Sequence, residues 1–260
     1  MLFADARLAR RLEAAESANA RECTTASDGT PAETLNVAGG CAVFAGVDSP
    51  LTQAVGLGLA GPVSAAEFTL MEGFFRSRGA AVRVDVCPLA HSSLLELLGA
   101  GNYRATEFNN VLAKQLAGTE ILMTPRVRRT MLDERELWSH TVGRGFFETD
   151  ELTDAEMNVG RAIFGMPAAL CYLAVEEAEP VGAAAAAVRE GLMTMFADST
   201  LKRRRARGLH LEMIAARLGE GLAAGCDLAC ASTLPGSGSQ RNYERMGFFV
   251  AYTKVVMVSG

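Results

Sequence analysis

The order of predicted strands and helices repeats along the chain, and this repetition constrains the fold more than any other feature. In each half the sequence predicts a long helix that ends at a glycine, followed by a short apolar strand that ends at a proline. These residues are Gly79 and Pro88 in the first half and Gly225 and Pro235 in the second. A short helix and a final strand follow each time. Alternating strands and helices are typical of α/β units, and a repeated order indicates an internal duplication. Two unrelated α/β stretches are the alternative.

Hydrophobic periodicity and turn residues predict where the elements lie. The alanine run 183–187 favours a helix by propensity, but Gly182 and the turn at 189–191 favour a strand of a hairpin, which we predict. We expect helices at 8–15, 64–78, 92–98, 133–142, 153–163, 208–224 and 239–246, and strands at 81–86, 104–112, 121–129, 169–175, 181–188, 192–201, 227–233 and 249–258, with two more within 35–59. Ser64 with Glu67, and Thr153 with Glu156, have the spacing of capping boxes.

Composition and charge exclude several classes of protein. A net charge of −5 over 260 residues gives no basic face for nucleic acid. The six cysteines form no CxxC pair, and the three histidines do not stand at ligand spacing from them, so we predict reduced thiols and no metal. Charged residues interrupt the N-terminus, and no apolar run is long enough to cross a membrane. These features predict a cytoplasmic protein without a membrane partner.

The segment from residue 199 to residue 210 carries the strongest chemical signal. A predicted strand ends there, a loop with five lysines and arginines in six residues follows, and a helix begins at Gly208. The first N–H groups of a helix lack partners within the helix, and its dipole adds positive potential, so this point can bind an anion such as a diphosphate. A solvated basic loop is the alternative interpretation.

Two blocks resemble a known family. Arg205 and Gly208 match the Arg/Gln-x-x-Gly-x-Gly/Ala signature of the GCN5-related N-acetyltransferases (GNATs), although His210 stands where the signature has a small residue. The block from Asn242 to Phe248, Asn-Tyr-Glu-Arg-Met-Gly-Phe, is similar to the Tyr-Glu-Lys-Leu-Gly-Phe block of the same family. The resemblance implies an α/β (α+β) fold with two tandem acyl-CoA N-acyltransferase-like domains, each with a mixed central sheet flanked by helices.

The resemblance implies domains at residues 1–118 and 119–260, with the cofactor site in the second. It implies acetyl-CoA as co-substrate, without a metal, and a pantetheine arm that lies between two splayed strands. Ser237 or Ser239 can supply the hydrogen bond that an asparagine gives to the cofactor in many relatives; a flexible turn with Ser239 as helix N-cap is the alternative. The implied cofactor contacts are Ser199, Thr200, Leu201, Arg203, Arg205, Ala206, Arg207, Gly208, Leu209, His210, Ser237, Ser239, Asn242 and Tyr243.

The resemblance also implies direct transfer of an acetyl group to an amine of a small molecule or peptide. Tyr243 is then the general acid for the departing thiolate, with an aromatic packed under the final strand as the alternative. Asp198 is the candidate base, and Glu176 and Glu148 are alternatives. The amide of residue 200 or 201 would polarise the thioester carbonyl.

The acceptor side is implied by three aromatic residues. In the family, the region that holds Trp138, Phe146 and Phe147 usually forms the wall of the acceptor site. The three residues can equally well be aromatic residues of the hydrophobic core. The acceptor itself is not identified, and the chain is expected to be a monomer or a homodimer.

The first half lacks the features that carry the resemblance. Its glycine-rich turn at 57–66 has no arginine, and Pro62 has no N–H to donate. We therefore predict that this half has the fold without the cofactor site. A non-catalytic acyl-CoA sensor or accessory module is the main alternative for the whole chain. A nucleotide-binding α/β protein is a weaker one, because the chain has no Gly-x-x-x-x-Gly-Lys-Ser/Thr loop.

Overall fold

The computed structural model describes residues 3–25, 32–117 and 124–260, which form two compact units. The first unit is Met1–Val111 with Val250–Gly260, and the second is Leu112–Phe249. This grouping differs from the predicted domain 119–260, because the last strand pairs antiparallel with Arg83–Val86 of the first unit. The predicted boundary after residue 118 and the start of the predicted strand 121–129 lie outside the described residues.

The helices and strands follow the predicted order. The helices are α1 Ala6–Thr25, α2 Ala65–Arg76, α3 Ser92–Ala100, α4 Arg135–Phe147, α5 Asp154–Phe164, α6 Leu209–Ala223 and α7 Gly238–Arg245. The strands are β1 Glu33–Val37, β2 Gly40–Phe44, β3 Gln53–Val55, β4 Arg83–Val86, β5 Arg104–Gln115, β6 Val127–Arg129, β7 Ala169–Glu176, β8 Glu179–Arg189, β9 Leu192–Thr200, β10 Leu228–Thr233 and β11 Phe249–Val258. Short 3-10 turns precede α4 at Leu132–Glu134 and follow β9 at Lys202–Arg204.

In the first unit the strand order is β1-β2-β3-β4-β11-β5, with β3 and β4 parallel. Successive side chains of a strand point to opposite faces of the sheet. Ala42 and Phe44 of β2 belong to the main core with Phe75 of α2, whereas Cys41 and Val43 pack near Ala20 of α1. Helices therefore cover both faces of this sheet.

In the second unit the strand order is β10-β9-β8-β7-β6. Strands β9 and β10 are parallel, and the other pairs are antiparallel, so the sheet is mixed as predicted. The alanine run of β8 alternates between two buried faces. Ala185 packs with Trp138 of α4, whereas Ala186 packs with Ile214 of α6. Burial on both faces outweighs the helix propensity of alanine, which confirms the predicted strand.

Local signals were mostly correct, with two corrections. Ser64 and Thr153 form the predicted capping boxes. Residues 35–59 hold parts of three strands rather than two, because a tight turn at Gly39, with φ +80°, separates β1 from β2. The N-cap of α7 is Ser237, whose hydroxyl accepts from Gln240 N, and not Ser239.

Two expectations from composition can be compared with the described residues. All six cysteines are buried, and none of them forms a disulfide within the part of the chain that the structure describes. Among the described helices, none is long and apolar enough to span a membrane.

Candidate functional site

The parallel strands β9 and β10 part at the carboxyl end of their sheet. Their pairing ends at Met195 and Ala231, although β9 continues to Thr200 alongside β8. A bulge interrupts β9 at Ala197, which has a φ of +55°. Among the residues that the structure describes, the last residues of β9 therefore have no partner on the β10 side, which is the splayed geometry that the resemblance implies.

A cavity of about 620 Å³ lies at this splayed end. Its walls are the end of β9, the basic loop, the first turn of α6, one side of α7 and the last turn of α4. The lining residues are Gly145, Phe146, Asp198, Ser199, Thr200, Arg204, Arg205, Ala206, Arg207, Gly208, Leu209, His210, Leu211, Gly238, Ser239, Asn242 and Arg245. Most of the predicted cofactor contacts are thus brought together in one place.

The amino end of α6 is built to receive an anion. Its N-cap is Gly208 in the left-handed conformation, with φ +82°, and no side chain in the described part of the chain caps the helix. Leu209, His210 and Leu211, which carry the first N–H groups, line the cavity. Because these groups have no intrahelical acceptors and lie at the positive end of the dipole, they suit a phosphate or diphosphate.

In the first unit, the amino end of the corresponding helix, α2, is capped by side chains of that helix and its N-cap. The N-cap of α2 is Ser64, whose hydroxyl accepts from Glu67 N at 3.2 Å. The Glu67 carboxylate in turn accepts from Ser64 N at 2.9 Å. The first turn of α6 also carries an acidic residue, Glu212, but α6 has no side-chain cap among the described residues, so the capping box is what distinguishes the two helices.

Arginines of the basic loop are held by acidic residues and carbonyl groups. Arg204 and Arg207 each lie 3.5 Å from Glu176 Oε2. Arg205 pairs with Glu148, which also lies 2.9 Å from Lys202 Nζ. Hydrogen bonds from Lys202 and Arg205 lower the pKa of the Glu148 carboxyl. Much of the loop's charge is therefore balanced within the unit.

Arg205 connects two walls of the cavity. Its guanidinium donates to Thr200 O at 3.1 Å and to Gly145 O at 3.0 Å, besides its pair with Glu148. This arginine therefore ties the end of β9 to the end of α4. Arg203, another predicted contact, is exposed and does not line the cavity.

The two predicted catalytic residues are hydrogen-bonded to each other. The Tyr243 hydroxyl donates to Asp198 Oδ2, and Arg217 donates to Asp198 Oδ1. Tyr243 and Arg217 are completely buried, whereas Asp198 lines the cavity. The phenol ring of Tyr243 packs edge-on against Phe248, as in the alternative interpretation of a packed aromatic. Tyr243 itself does not reach the cavity wall.

The protonation of this pair follows from its surroundings. Burial disfavours the charge on Asp198, but the positive charge of Arg217, together with interactions with His210 and the hydrogen bond from Tyr243, outweighs that effect and lowers the pKa of Asp198. Burial and the adjacent Asp198 charge raise the pKa of Tyr243 well above its usual value, against the lowering effect of Arg217. Asp198 is therefore an ionised, weak base, and Tyr243 keeps its proton at neutral pH.

Arg217 was not predicted, because no motif points to it. Besides Asp198, its guanidinium donates to Met213 O at 2.9 Å and Ala185 O at 3.0 Å. It lies two turns into α6, and only the folded β8–β9 pair brings it to Asp198. A buried aspartate next to a predicted cofactor loop needs a positive partner, but its position could not be read from the sequence.

His210 lies at the departure from the family signature and turns toward the same cluster. Its Nδ1 is 3.1 Å from Asn242 Nδ2, and its Nε2 is 3.5 Å from Asp198 Oδ1 without a hydrogen bond. Its ring packs edge-on against Tyr243. The side chain thus lies among Asn242, Asp198 and Tyr243.

Several predicted contacts have other roles. The amide of Leu201 donates to Val181 O at 2.9 Å, so it is not available to a thioester carbonyl, and its side chain is buried. Ser237 caps α7, whereas Ser239 lines the cavity. Trp138 is a core residue, completely buried, with its indole N–H donating to Tyr172 O at 3.0 Å.

The other two predicted acceptor residues differ from each other. Phe146 is 66% exposed and lines the cavity. Phe147 packs edge-on against Phe146, is half-buried and does not line the cavity. Of the three aromatic residues predicted for the acceptor side, only Phe146 lies at the cavity. Within the described residues, no group of three or more His, Cys, Asp or Glu side chains is arranged to hold a metal ion.

The mixed sheet, its splayed strands and the open start of α6 define a class of fold, that of the GCN5-related N-acetyltransferases. A GCN5-related N-acetyltransferase from Kribbella flavida matches 100% of this chain and 96% of its own, with a TM-score of 0.69 and 18% identity. One from Sphaerobacter thermophilus matches 87% of this chain and 75% of its own, with a TM-score of 0.58 and 17% identity.

A tandem protein shares the fold as well. The tandem GNAT protein from the clavulanic acid biosynthesis pathway matches 85% of this chain and 78% of its own, with a TM-score of 0.61 and 12% identity. At these identities the similarity establishes the fold. No family sequence model and no curated protein sequence matches the chain.

Proposed function

We propose that the second unit binds acetyl-CoA and transfers its acetyl group to an amine of a small molecule or peptide. The observation that carries this proposal is the uncapped amino end of α6 at Gly208, open to a cavity between splayed parallel strands. The diphosphate would accept hydrogen bonds from the first N–H groups of α6. The pantetheine arm would run along the unpaired side of β9, near Thr200.

The proposed reaction forms a C–N bond and breaks the C–S bond of the thioester. The amine attacks the carbonyl carbon, the amide of Thr200 stabilises the charge on the carbonyl oxygen, and the thiolate departs. One proton leaves the amine nitrogen and one proton is needed by the sulfur. Tyr243, which keeps its proton and which Asp198 orients, is the proposed donor. Because its hydroxyl does not line the cavity, the proton would pass to the sulfur through a water molecule, and the phenolate would then recover the proton that the amine releases to water.

Asp198 is a weaker candidate as the base than as the orienting group. Its pKa is lowered and both of its oxygens already accept hydrogen bonds, from Arg217 and Tyr243. A carboxylate held in this way gains little by taking a proton. Glu148 and Glu176 are engaged by loop cations as well. We therefore propose that the amine loses its proton to water in the cavity.

Two measurements test the proposal together. Calorimetry with acetyl-CoA measures binding, and a thiol-release assay over a panel of small amines and peptide N-termini measures transfer. We expect binding at micromolar concentration and release of coenzyme A with at least one amine. If acetyl-CoA does not bind, the proposed transferase function and any other acyl-CoA-dependent function are both excluded.

A second candidate is an acyl-CoA-binding module without transfer. It is favoured by one observation: the Tyr243 hydroxyl is bound to Asp198 inside the protein and does not reach the cavity. Binding of acetyl-CoA without thiol release for any amine in the panel would support this module and count against the transferase.

A further inference from the structure

The cavity offers an incoming amine no carboxylate that is ready to take its proton. Asp198 is the one carboxylate among the described residues that line the cavity, and its two oxygens already accept hydrogen bonds from Arg217 and Tyr243. Glu148 and Glu176 do not line the cavity, and each pairs with cations of the basic loop. An amine that arrives protonated therefore finds no carboxylate to deprotonate it in the described part of the cavity.

The imidazole of His210 is not placed to act as a base either. Its Nδ1 lies 3.1 Å from Asn242 Nδ2, and its Nε2 is buried at 3.5 Å from Asp198 Oδ1. Both ring nitrogens therefore face other side chains of the protein. A nucleophile that must lose a proton before it attacks gains no help from this ring.

The charges around the cavity also disfavour a cationic acceptor. Beside Phe146, Lys202 and Arg205 share the carboxylate of Glu148, and the next acidic residue along the chain, Asp150, does not line the cavity. Like charges repel, so an alkylammonium group would bind poorly at this wall. Among the described lining residues, four arginines stand against one acidic residue: Arg204, Arg205, Arg207 and Arg245 against Asp198.

Phe146 gives the cavity an aromatic surface that the core of the unit does not use. It lies in the last turn of α4, is largely exposed and lines the cavity. Phe147 packs edge-on against it, with ring centroids 5.5 Å apart. An aromatic wall of this kind suits a ligand that carries an aromatic ring of its own.

We propose that the acceptor is an aromatic amine, with its nitrogen attached directly to a ring that packs on Phe146. This inference rests on the proposed function of the same cavity and names the class of acceptor. The lone pair of such a nitrogen is delocalised into the ring, so the amine is neutral at pH 7 and attacks without first losing a proton. An alkylamine has a pKa of about 10, and only about one molecule in a thousand is neutral at that pH.

The proton balance of the reaction agrees with this class of acceptor. The nitrogen attacks the carbonyl carbon of the thioester, a C–N bond forms and the C–S bond breaks. The attacking nitrogen becomes acidic when it forms the new bond, so water is a sufficient base for its proton. The sulfur receives its proton from Tyr243 through water, as in the proposed reaction.

The test compares 4-methoxyaniline with 4-methoxybenzylamine, which differ by one methylene between the ring and the nitrogen. Thiol release from acetyl-CoA is measured with the whole chain, and the rate without protein is subtracted. At pH 7 we expect kcat/KM to be at least about tenfold higher for the aniline. Between about pH 6 and pH 8 the aniline value should stay level, whereas the benzylamine value should rise about tenfold per unit with its neutral fraction.

Phe146→Ala tests the contact with the ring. We expect kcat/KM for the aniline to fall about tenfold, with the affinity for acetyl-CoA within about twofold of the unaltered chain. Leu132→Ala is the matched control, because Leu132 is an exposed apolar residue of the second unit that does not line the cavity. It should change neither quantity.

Each other result is decisive. An equal or higher kcat/KM for the benzylamine at pH 7 would overturn the inference and leave the proposed transfer intact. Release with another amine or a peptide but with no aromatic amine would do the same. A loss in Phe146→Ala no larger than that in Leu132→Ala would overturn the contact with Phe146. If acetyl-CoA binds but no amine releases the thiol, both this inference and the proposed transfer fail.

Discussion

At the scale of single residues, the site is organised around Asp198. A family pattern singled out Tyr243, and alternation along the strand placed Asp198 on the same side as Thr200. Neither signal carried information about Arg217 or about which oxygen each group contacts. The folded chain places both hydroxyl and guanidinium on one carboxylate. A buried ionic network of this kind depends on all its members, because removing one leaves the others unpaired.

The role of Tyr243 can be separated from its packing. Tyr243→Phe keeps the ring against Phe248 and removes only the hydroxyl, so acetyl-CoA affinity should stay within about twofold. If Tyr243 donates the proton, turnover should fall about 100-fold. Steady-state thiol release with the accepted amine measures this.

Tyr172→Phe is the matched control for that substitution. Tyr172 is also a buried tyrosine of the second unit, and its hydroxyl donates to Glu220 at 3.4 Å, outside the cavity. We expect its turnover to be unchanged. A Tyr243→Phe turnover equal to that of this control would remove Tyr243 from the mechanism.

At the scale of elements, local chemistry predicted most of the fold. Capping residues and turn glycines were sufficient for α2, α5 and the hairpin of β8 with β9, because these features act over a few residues. The bulge at Ala197 and the parting of β9 from β10 depend on partners far along the chain. A pattern of single residues contains little information about such pairings, so the resemblance, and not periodicity, predicted the splayed strands.

The packing of α4 on β9 can be tested at Gly145. A methyl group there would overlap Ser199 Oγ and lie 3.1 Å from Thr200 N. Gly145→Ala should therefore push α4 from the cavity wall, lower stability by ~1–3 kcal/mol and weaken acetyl-CoA binding. Gly219→Ala in α6 is the control, because a methyl group there meets nothing within 4 Å. Thermal unfolding measures the Tm of both variants, and an equal fall in Tm in the two would contradict the packing argument.

In the first unit, α1 is held to the sheet by a buried charge cluster. Lys254 Nζ of β11 lies 2.7 Å from Glu16 of α1, 3.4 Å from Glu13 of α1 and 2.6 Å from Asp85 of β4. The Tyr252 hydroxyl donates to Glu13 at 2.8 Å. Three carboxyl groups thus share one lysine, so one or more of them is costly to ionise.

This cluster predicts a dependence of stability on pH. Burial raises the pKa of Glu13 to about 7, even though Lys254 acts to lower it. Because the folded state holds this proton more tightly than the unfolded state, the free energy of unfolding should fall as pH rises from about 4.5 to about 7. The contribution is on the order of 1–3 kcal/mol.

Glu13→Gln should flatten that dependence. The glutamine oxygen can still accept from Tyr252, and the ionisation is gone. Denaturant unfolding at pH 5 and pH 8 measures the difference, with Glu96→Gln, an exposed substitution on α3, as control. If Glu13→Gln and the unaltered chain lose the same free energy of unfolding between pH 5 and pH 8, Glu13 is not the group responsible for the pH dependence.

At the scale of the whole molecule, two units of similar element order differ at the amino end of the corresponding helix. In the second unit α6 begins at Gly208 without a side-chain cap, beside a cavity. In the first unit α2 begins at Ser64, and Glu67 completes its capping box. The repeated element order therefore predicts two similar folds, and the capping residues predict one binding site.

The stoichiometry of acetyl-CoA binding tests this account most directly. Calorimetric titration of the whole chain should give one molecule bound per chain, and Ser64→Ala with Glu67→Gln, which removes the capping box of α2, should leave that number and the affinity unchanged. Two molecules bound per chain would contradict the asymmetry of the two units, and no binding would contradict the assignment of the site at Gly208.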